Sequence, residues 1–236
     1  MKHGLVIVLV CLIGFVLVTN AYGLYTKEYQ NKPLVQEKVG SRDYNYLYDF
    51  YLSATPNVAG RPWVGDANAP ITVIAYLSPE SESSRFFLQE IYPMIESEYL
   101  GTGKARLIYK TYVTADDIGQ KNDIFIKAAF LECVGQLKPA EYQAVWVKTL
   151  STGAQQLGTL VDEFGFSQEE FRSCLDARSF PLLSENALEI ENFGMLGIEP
   201  RFYIGLNGRD NTVVDGIPSL ARFKRTLRNY QLIIGD

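Results

Sequence analysis

The chain has 236 residues, 47% of them hydrophobic and 21% charged, and a formal net charge of −5. That length and apolar share can build a sizeable core, and the acidic balance argues against a nucleic-acid-binding surface. Its one histidine is His3, which excludes a Ser-His-Asp triad, a Cys-His pair and a His-ligated metal site from the body of the chain.

Lys2 and His3 precede an apolar run from Leu5 to Val18. The run has the length of a signal-peptide core, and Ala21 or Gly23 supplies a small residue at a cleavage point. Extended to Tyr25, the same segment can also stay uncut as a short anchor. Residues 1–25 are therefore a signal peptide or a signal anchor, with membrane association possible through residues 4–25. Both outcomes place the remaining chain outside the cytoplasm, where disulfides persist. Cys11 lies inside the run, preceded by Val10, and makes a poor lipoprotein signal. Residues 26–59 read as a linker, polar from Lys27 to Arg42. Tyr44, Tyr46, Tyr48 and Phe50 then alternate with other residues, which suggests a strand with an aromatic face; Leu47 and Tyr51 also allow a helix. These aromatics pack on the domain or meet a membrane surface.

The domain is expected over residues 60–236. Ile71 to Leu77 is a β-branched and aromatic run that reads as a buried strand. It breaks at Ser78-Pro79, where a serine before a proline suits a helix start. Phe86, Phe87, Ile91, Met94 and Ile95 recur at helical spacing, and Pro93 is expected to kink that helix. Ala105 to Tyr112 alternates apolar and polar residues as a second strand. Residues 114–196 read as helical. Ile126, Ala129, Phe130 and Cys133 line one face; Pro139 opens a helix with Tyr142, Val145, Trp146 and Leu150 inward. Ser167 and Glu170 form a capping box ahead of an apolar face of Phe171, Cys174 and Leu175. Asn207-Gly208 reads as a hairpin turn, Val213-Val214 as an edge strand and Gly216 as a bend. A last helix turns Leu220, Phe223 and Leu227 inward and Arg222, Lys224, Arg225 and Arg228 mostly outward, as a solvated face.

The sequence contains no GxSxG, CxxC, calcium loop, N-x-S/T sequon or internal repeat, and Gly101-Thr102-Gly103-Lys104 lacks the earlier glycine of a phosphate loop. No cofactor and no metal is expected.

Four stretches resemble the DsbA-like branch of the thioredoxin fold. Gly65-Asp66-Ala67-Asn68-Ala69-Pro70 is similar to the GDxxAP lead-in to the central strand. The strand–turn–helix from Ile71 to Phe87 resembles the segment that carries the redox CxxC, whose two cysteine positions fall on Ser81 and Ser84, in Ser81-Glu82-Ser83-Ser84. The helical stretch after the second strand matches the family's insertion. Gly197 to Ile204 looks like the GxxxPxFxI segment, which makes Pro200 the cis-proline facing the active site; the family usually has a small or β-branched residue where this chain has Glu199. The resemblance covers about residues 60–232 and implies an α/β thioredoxin-like fold with a helical insertion, preceded by the N-terminal hydrophobic segment.

The contexts of Cys133 and Cys174 resemble the paired non-catalytic cysteines of some DsbA-like proteins, and pairing is favoured in an exported chain with two cysteines left. Two separate buried thiols are the alternative. Thiol–disulfide exchange needs an attacking and a leaving thiolate, which Ser81 and Ser84 cannot supply, and Ser81 has no histidine to activate it. The expectation is therefore an exported, non-catalytic module, with no catalytic residue, that binds a protein or peptide between the Ser81 turn and the Pro200 loop. Glu80, Glu82 and Glu199 either are solvated, with Glu80 and Glu82 complementing the helix dipole, or form an acidic rim there. The alternatives are an oxidoreductase acting through Cys133 and Cys174, or a structural subunit of an exported membrane complex.

Overall fold

Ile71–Leu77 forms β2, the strand around which the fold is arranged, and all seven of its residues are buried. The computed structural model describes residues 56–235 apart from 177–179, 208 and 218. The N-terminal apolar segment, the polar linker and the aromatic stretch of residues 44–51 lie outside the described residues, as does Gly208 of the expected hairpin turn. The sheet has five strands in the order β1-β3-β2-β4-β5. They are β1 (Trp63–Gly65), β2, β3 (Ala105–Thr111), β4 (Arg201–Leu206) and β5 (Arg209–Asp215). β2 runs parallel to β3, in register from Ile71–Ala105 to Leu77–Thr111, and antiparallel to β4. β1 and β5 are antiparallel edges.

β2 is apolar apart from Thr72 because helices cover both faces of the sheet. Ile71, Val73, Ala75 and Leu77 join a core with Phe87, Ile91 and Ile95 from the first helix and Phe223 and Leu227 from the last. Ile74 and Tyr76 point the other way, into a smaller core with Ile190 and Met195. Gly65 ends β1 where only glycine fits: its φ is +100°, and a Cβ would meet the Ala105 carbonyl oxygen at 2.7 Å. Asp66 then makes a tight turn, its side chain accepting from the Asn68 N–H at 2.8 Å and its carbonyl from Ala69 N–H at 3.0 Å.

After β2 comes α1, a continuous run of Glu82–Phe86, the π-turn Phe87–Ile91, Tyr92–Ile95 and the π-turn Glu96–Leu100. Pro93 lacks the N–H that a regular ladder would use, and the wide turns flank it. The proline thus disturbs the helix by local unwinding on both sides.

The helical insertion after β3 comprises α2 (Ala115–Gln120), α3 (Asp123–Leu137), α4 (Tyr142–Thr149), α5 (Gly158–Glu163), α6 (Gln168–Asp176) and α7 (Pro181–Asn192), and α8 (Leu220–Ile234) closes the chain. Pro139 opens a short 3-10 turn and not α4 itself. Ser167 caps α6 by accepting from Glu170 N–H at 3.3 Å, one of the two bonds of a capping box. Two expected core positions are instead exposed, Leu175 at 39% and Leu220 at 43%. Each sits in an end turn of its helix, where less of the neighbouring structure reaches over it.

Candidate functional site

The C-terminal end of β2 delivers the chain to Ser78, Pro79 and Glu80, and the helix starts later than the sequence suggests. The cap of α1 is Ser81 and not Ser78. Ser81 has extended backbone angles, and its Oγ accepts from the N–H groups of Ser83 at 3.1 Å and Ser84 at 3.2 Å. That satisfies two of the donors every helix start leaves free. Ser78 keeps a different job: its N–H donates to Ser84 Oγ at 3.0 Å. Two serines six residues apart therefore fold the turn onto itself.

Ser84 is fully buried, and its hydroxyl also donates to Glu199 Oε2 at 3.3 Å. This bond joins the first turn of α1 to the loop carrying the Glu199–Pro200 peptide, which is cis as the sequence suggests. The loop is held from two other sides. The Pro200 carbonyl accepts from Gly216 N–H at 2.8 Å. Tyr112, just beyond β3, donates its hydroxyl to the Met195 carbonyl and accepts from Gly197 N–H, both at 2.9 Å. Burial pushes the Tyr112 phenol up, so it remains a neutral donor at physiological pH. Ser84 and Glu199 are therefore joined, which sets the Ser81 turn beside the loop that carries the buried Pro200.

The three carboxylates do not form an even rim. Glu80 pairs with Lys127, a buried lysine on α3. The Glu82 side chain is 85% exposed, with Arg85 at 3.5 Å. Glu199 turns to Ser84. Lys127 and Arg85, which also donates to the Leu150 carbonyl at 2.7 Å, both tie the turn to the insertion. Lys127 lies on the helix whose apolar face is readable from sequence, but no local pattern marks its partner 47 positions earlier. Beside the turn lies a cleft of about 330 Å³. Phe86 (44% exposed) and Ile217 (49%) are its apolar walls, and Glu82, Ser83 and Glu90 line it as well.

Neither serine is built for nucleophilic work. Ser84 has no exposure, and Ser81 Oγ is occupied as a cap, with no imidazole among the described residues to take its proton. Cys133 and Cys174 form a disulfide between α3 and α6, with Cα atoms 5.9 Å apart. Cys133 is fully buried and Cys174 half-buried. Cys133 lies six residues along α3 from Lys127, about 9 Å of helix rise.

Residues 57–225 match the family model described as thioredoxin. No curated protein matches the sequence. Among solved structures the chain is similar to oxidised BdbD from Bacillus subtilis, at 17% identity and a TM-score of 0.60 over 76% of this chain and 97% of that one. It is also similar to DsbA from Chlamydia trachomatis (17%, TM-score 0.62, 76% and 96%) and to alpha-DsbA1 from Wolbachia pipientis (18%, TM-score 0.60, 76% and 96%). At these identities the likeness is one of fold. The chain belongs to the thioredoxin family and carries the DsbA-like form of its fold.

Proposed function

We propose that this protein is an extracytoplasmic binding module in which the redox centre of the fold has been replaced by a structural turn. The observation that carries the proposal is the use made of the two serines. Ser81 and Ser84 stand at the cap and in the first turn of α1, and both hydroxyls are engaged in holding the turn to itself and to Glu199. A hydroxyl forms no mixed disulfide, so electrons cannot pass through this turn. The exposed face of the turn, with the Phe86–Ile217 cleft beside it, is suited to an extended peptide with an apolar side chain. In an insulin-reduction assay the full-length chain is expected to be no faster than a Cys133→Ala/Cys174→Ala control. A rate well above that control would overturn the proposal and favour exchange through the Cys133–Cys174 disulfide, the competing reading. The formed disulfide favours that reading, while the complete burial of Cys133 weighs against it, because exchange needs an accessible sulfur.

Charge at the site should tune partner capture weakly. Glu80 is neutralised by Lys127, which leaves Glu82 and Glu199 beside the turn, with Glu90 farther along the cleft, as carboxylates a basic peptide would meet. Replacing both by glutamine is expected to weaken crosslinked capture from native membranes a few-fold at low salt, in line with exposed pairs contributing about 0.2–1 kcal/mol. The loss should vanish at high salt. Capture by the double variant equal to wild type at low salt would leave the groove without a charge-based role.

A further inference from the structure

The last helix, α8, buries Phe223, Leu227 and Tyr230 in the main core. Its opposite side is uncovered. Arg225, Arg228 and Leu232 follow one another there at the i, i+3 and i+7 spacing of one helix face, and all three are exposed. Leu232 and its neighbour Ile233 are each 67% exposed, more than any other large hydrophobic residue among the described residues, and Ile234 is 39% exposed. A single exposed aliphatic residue is ordinary on a protein surface. Three in succession in a last turn are not what a helix end calls for. The C-terminal end of a helix dipole favours cations, yet the last turn of α8 has none.

The cations stand one to three turns earlier. α8 carries Arg222, Lys224, Arg225 and Arg228 and no acidic residue, in a chain with a net charge of −5. Glu98 of α1 reaches this helix and pairs with Lys224 at 2.6 Å. Arg225 and Arg228 have no hydrogen bond or ion pair among the described residues. The outer face of α8 thus combines two unpaired guanidinium groups with an aliphatic tip.

We propose that this face docks on a lipid surface with anionic headgroups. Arg225 and Arg228 meet the lipid phosphates, and Leu232 and Ile233 enter the headgroup layer. Guanidinium pairs with phosphate through two parallel N–H···O bonds, and helices that join arginine to exposed aliphatic residues lie in the membrane interface. No described helix is long and apolar enough to cross a membrane, so the contact is with the surface. A second copy of the chain fits the face poorly, because a two-fold contact sets the same patch against itself and brings unpaired arginines together. If the N-terminal apolar run of residues 5–18 is retained as an anchor, it holds the domain near such a surface, but the contact does not depend on it.

Amide hydrogen exchange tests the docking on the full-length protein in vesicles of phosphatidylcholine alone and of phosphatidylcholine with phosphatidylglycerol. Residues 227–235 are expected to exchange several-fold more slowly in the anionic vesicles than in the neutral ones, with β2 unchanged. The difference should disappear at high salt and in an Arg225→Gln/Arg228→Gln variant, and Leu232→Ser/Ile233→Ser should reduce it at low salt. All four side chains are exposed, and native exchange in β2 confirms that each variant is folded; where one is not, the wild-type comparison decides alone. Equal exchange of residues 227–235 in the two kinds of vesicle would overturn the proposal. So would protection that survives replacement of both arginines, or protection that grows with protein density, which marks a second copy as the occupant.

Discussion

Replacing Glu189 by alanine is expected to destabilise the protein by about 3–5 kcal/mol, seen as a lower denaturant midpoint at neutral pH. The reason is the crowd of donors around this one carboxylate. Lys110 on β3 and Tyr76 on β2 both donate to Glu189 Oε2, and the backbone N–H of Asn57 donates to Oε1 at 2.9 Å. Lys110 also donates to the Asn57 carbonyl at 2.8 Å. The lysine side chain has no exposure and Glu189 is 9% exposed. Burial, with Arg61 nearby, lowers Lys110 to about 8, and Glu189 opposes that shift. At neutral pH the ammonium is therefore charged, and it is kept so partly by its partner. Removing Glu189 leaves a buried cation and a buried phenol without it, which costs much more than the net worth of the intact pair. For a protein of this size the loss corresponds to roughly 10 °C or more in melting temperature. A Lys110→Met/Glu189→Leu double variant should recover much of it, because it removes the charge along with its partner. A Glu189→Ala protein with an unshifted midpoint would sink the argument.

That cluster also marks where sequence reasoning stops. The alternation from Ala105 to Tyr112 correctly gave a strand, and alternation ordinarily means one wet face. Here both faces are covered, so Lys110 is buried and needs a carboxylate from 79 residues away. No local pattern names that partner. The same holds for Arg61 with Glu185, and for Lys127 with Glu80. The inward faces of α3 and α4 were readable because Ala129, Phe130, Cys133, Tyr142, Val145 and Trp146 repeat at helical spacing against a core. The ends of helices were not: Leu175 and Leu220 follow the pattern but lie where the packing thins out.

At the site, the resemblance led to Ser81, Ser84 and a cis Pro200, and the structure joins the Ser81 turn to the Pro200 loop through Ser84 and Glu199. The start of α1 was misplaced for a local reason. Ser78-Pro79 has a good composition for a cap, but Ser81 offers its hydroxyl to two amides while Ser78 is still bound to the strand end through Ser84. The three glutamates near the turn allow two readings, an acidic rim or solvated carboxylates that complement the helix dipole. Only tertiary contacts show that Glu80 is already spent on Lys127.

Removing the disulfide by Cys133→Ala/Cys174→Ala is expected to cost about 4 kcal/mol. The bridge closes a loop with a sequence separation of 41, and constraint of the unfolded chain by a loop of that length is worth about that much in the chain-entropy account. The native packing between the two helices offers partial compensation. Phe171 of α6 meets Phe130 of α3 with ring centroids 4.9 Å apart, and Phe166 at 5.3 Å. Beside these rings, however, Ile126, Leu157 and Leu175 line a cleft of about 300 Å³, so α6 rests on α3 over an incompletely filled surface. The bridge is thus a principal tie between them, and the variant should fold but show earlier exposure of α6 in amide hydrogen exchange than of β2 or β3. Reduction supplies the complementary measurement. Cys133 is fully buried and Cys174 half-buried, so attack on Cys174 would have to expel Cys133 as a buried thiolate, a poor leaving group. Reduction should therefore run mainly through opening of α6 and reach a plateau with reagent concentration, set by that opening. Rapid reduction in native buffer, rising in proportion to reagent without limit, would show a bond open to exchange. Together with an unchanged midpoint in the double variant, that result would move the disulfide from a structural role to a redox one.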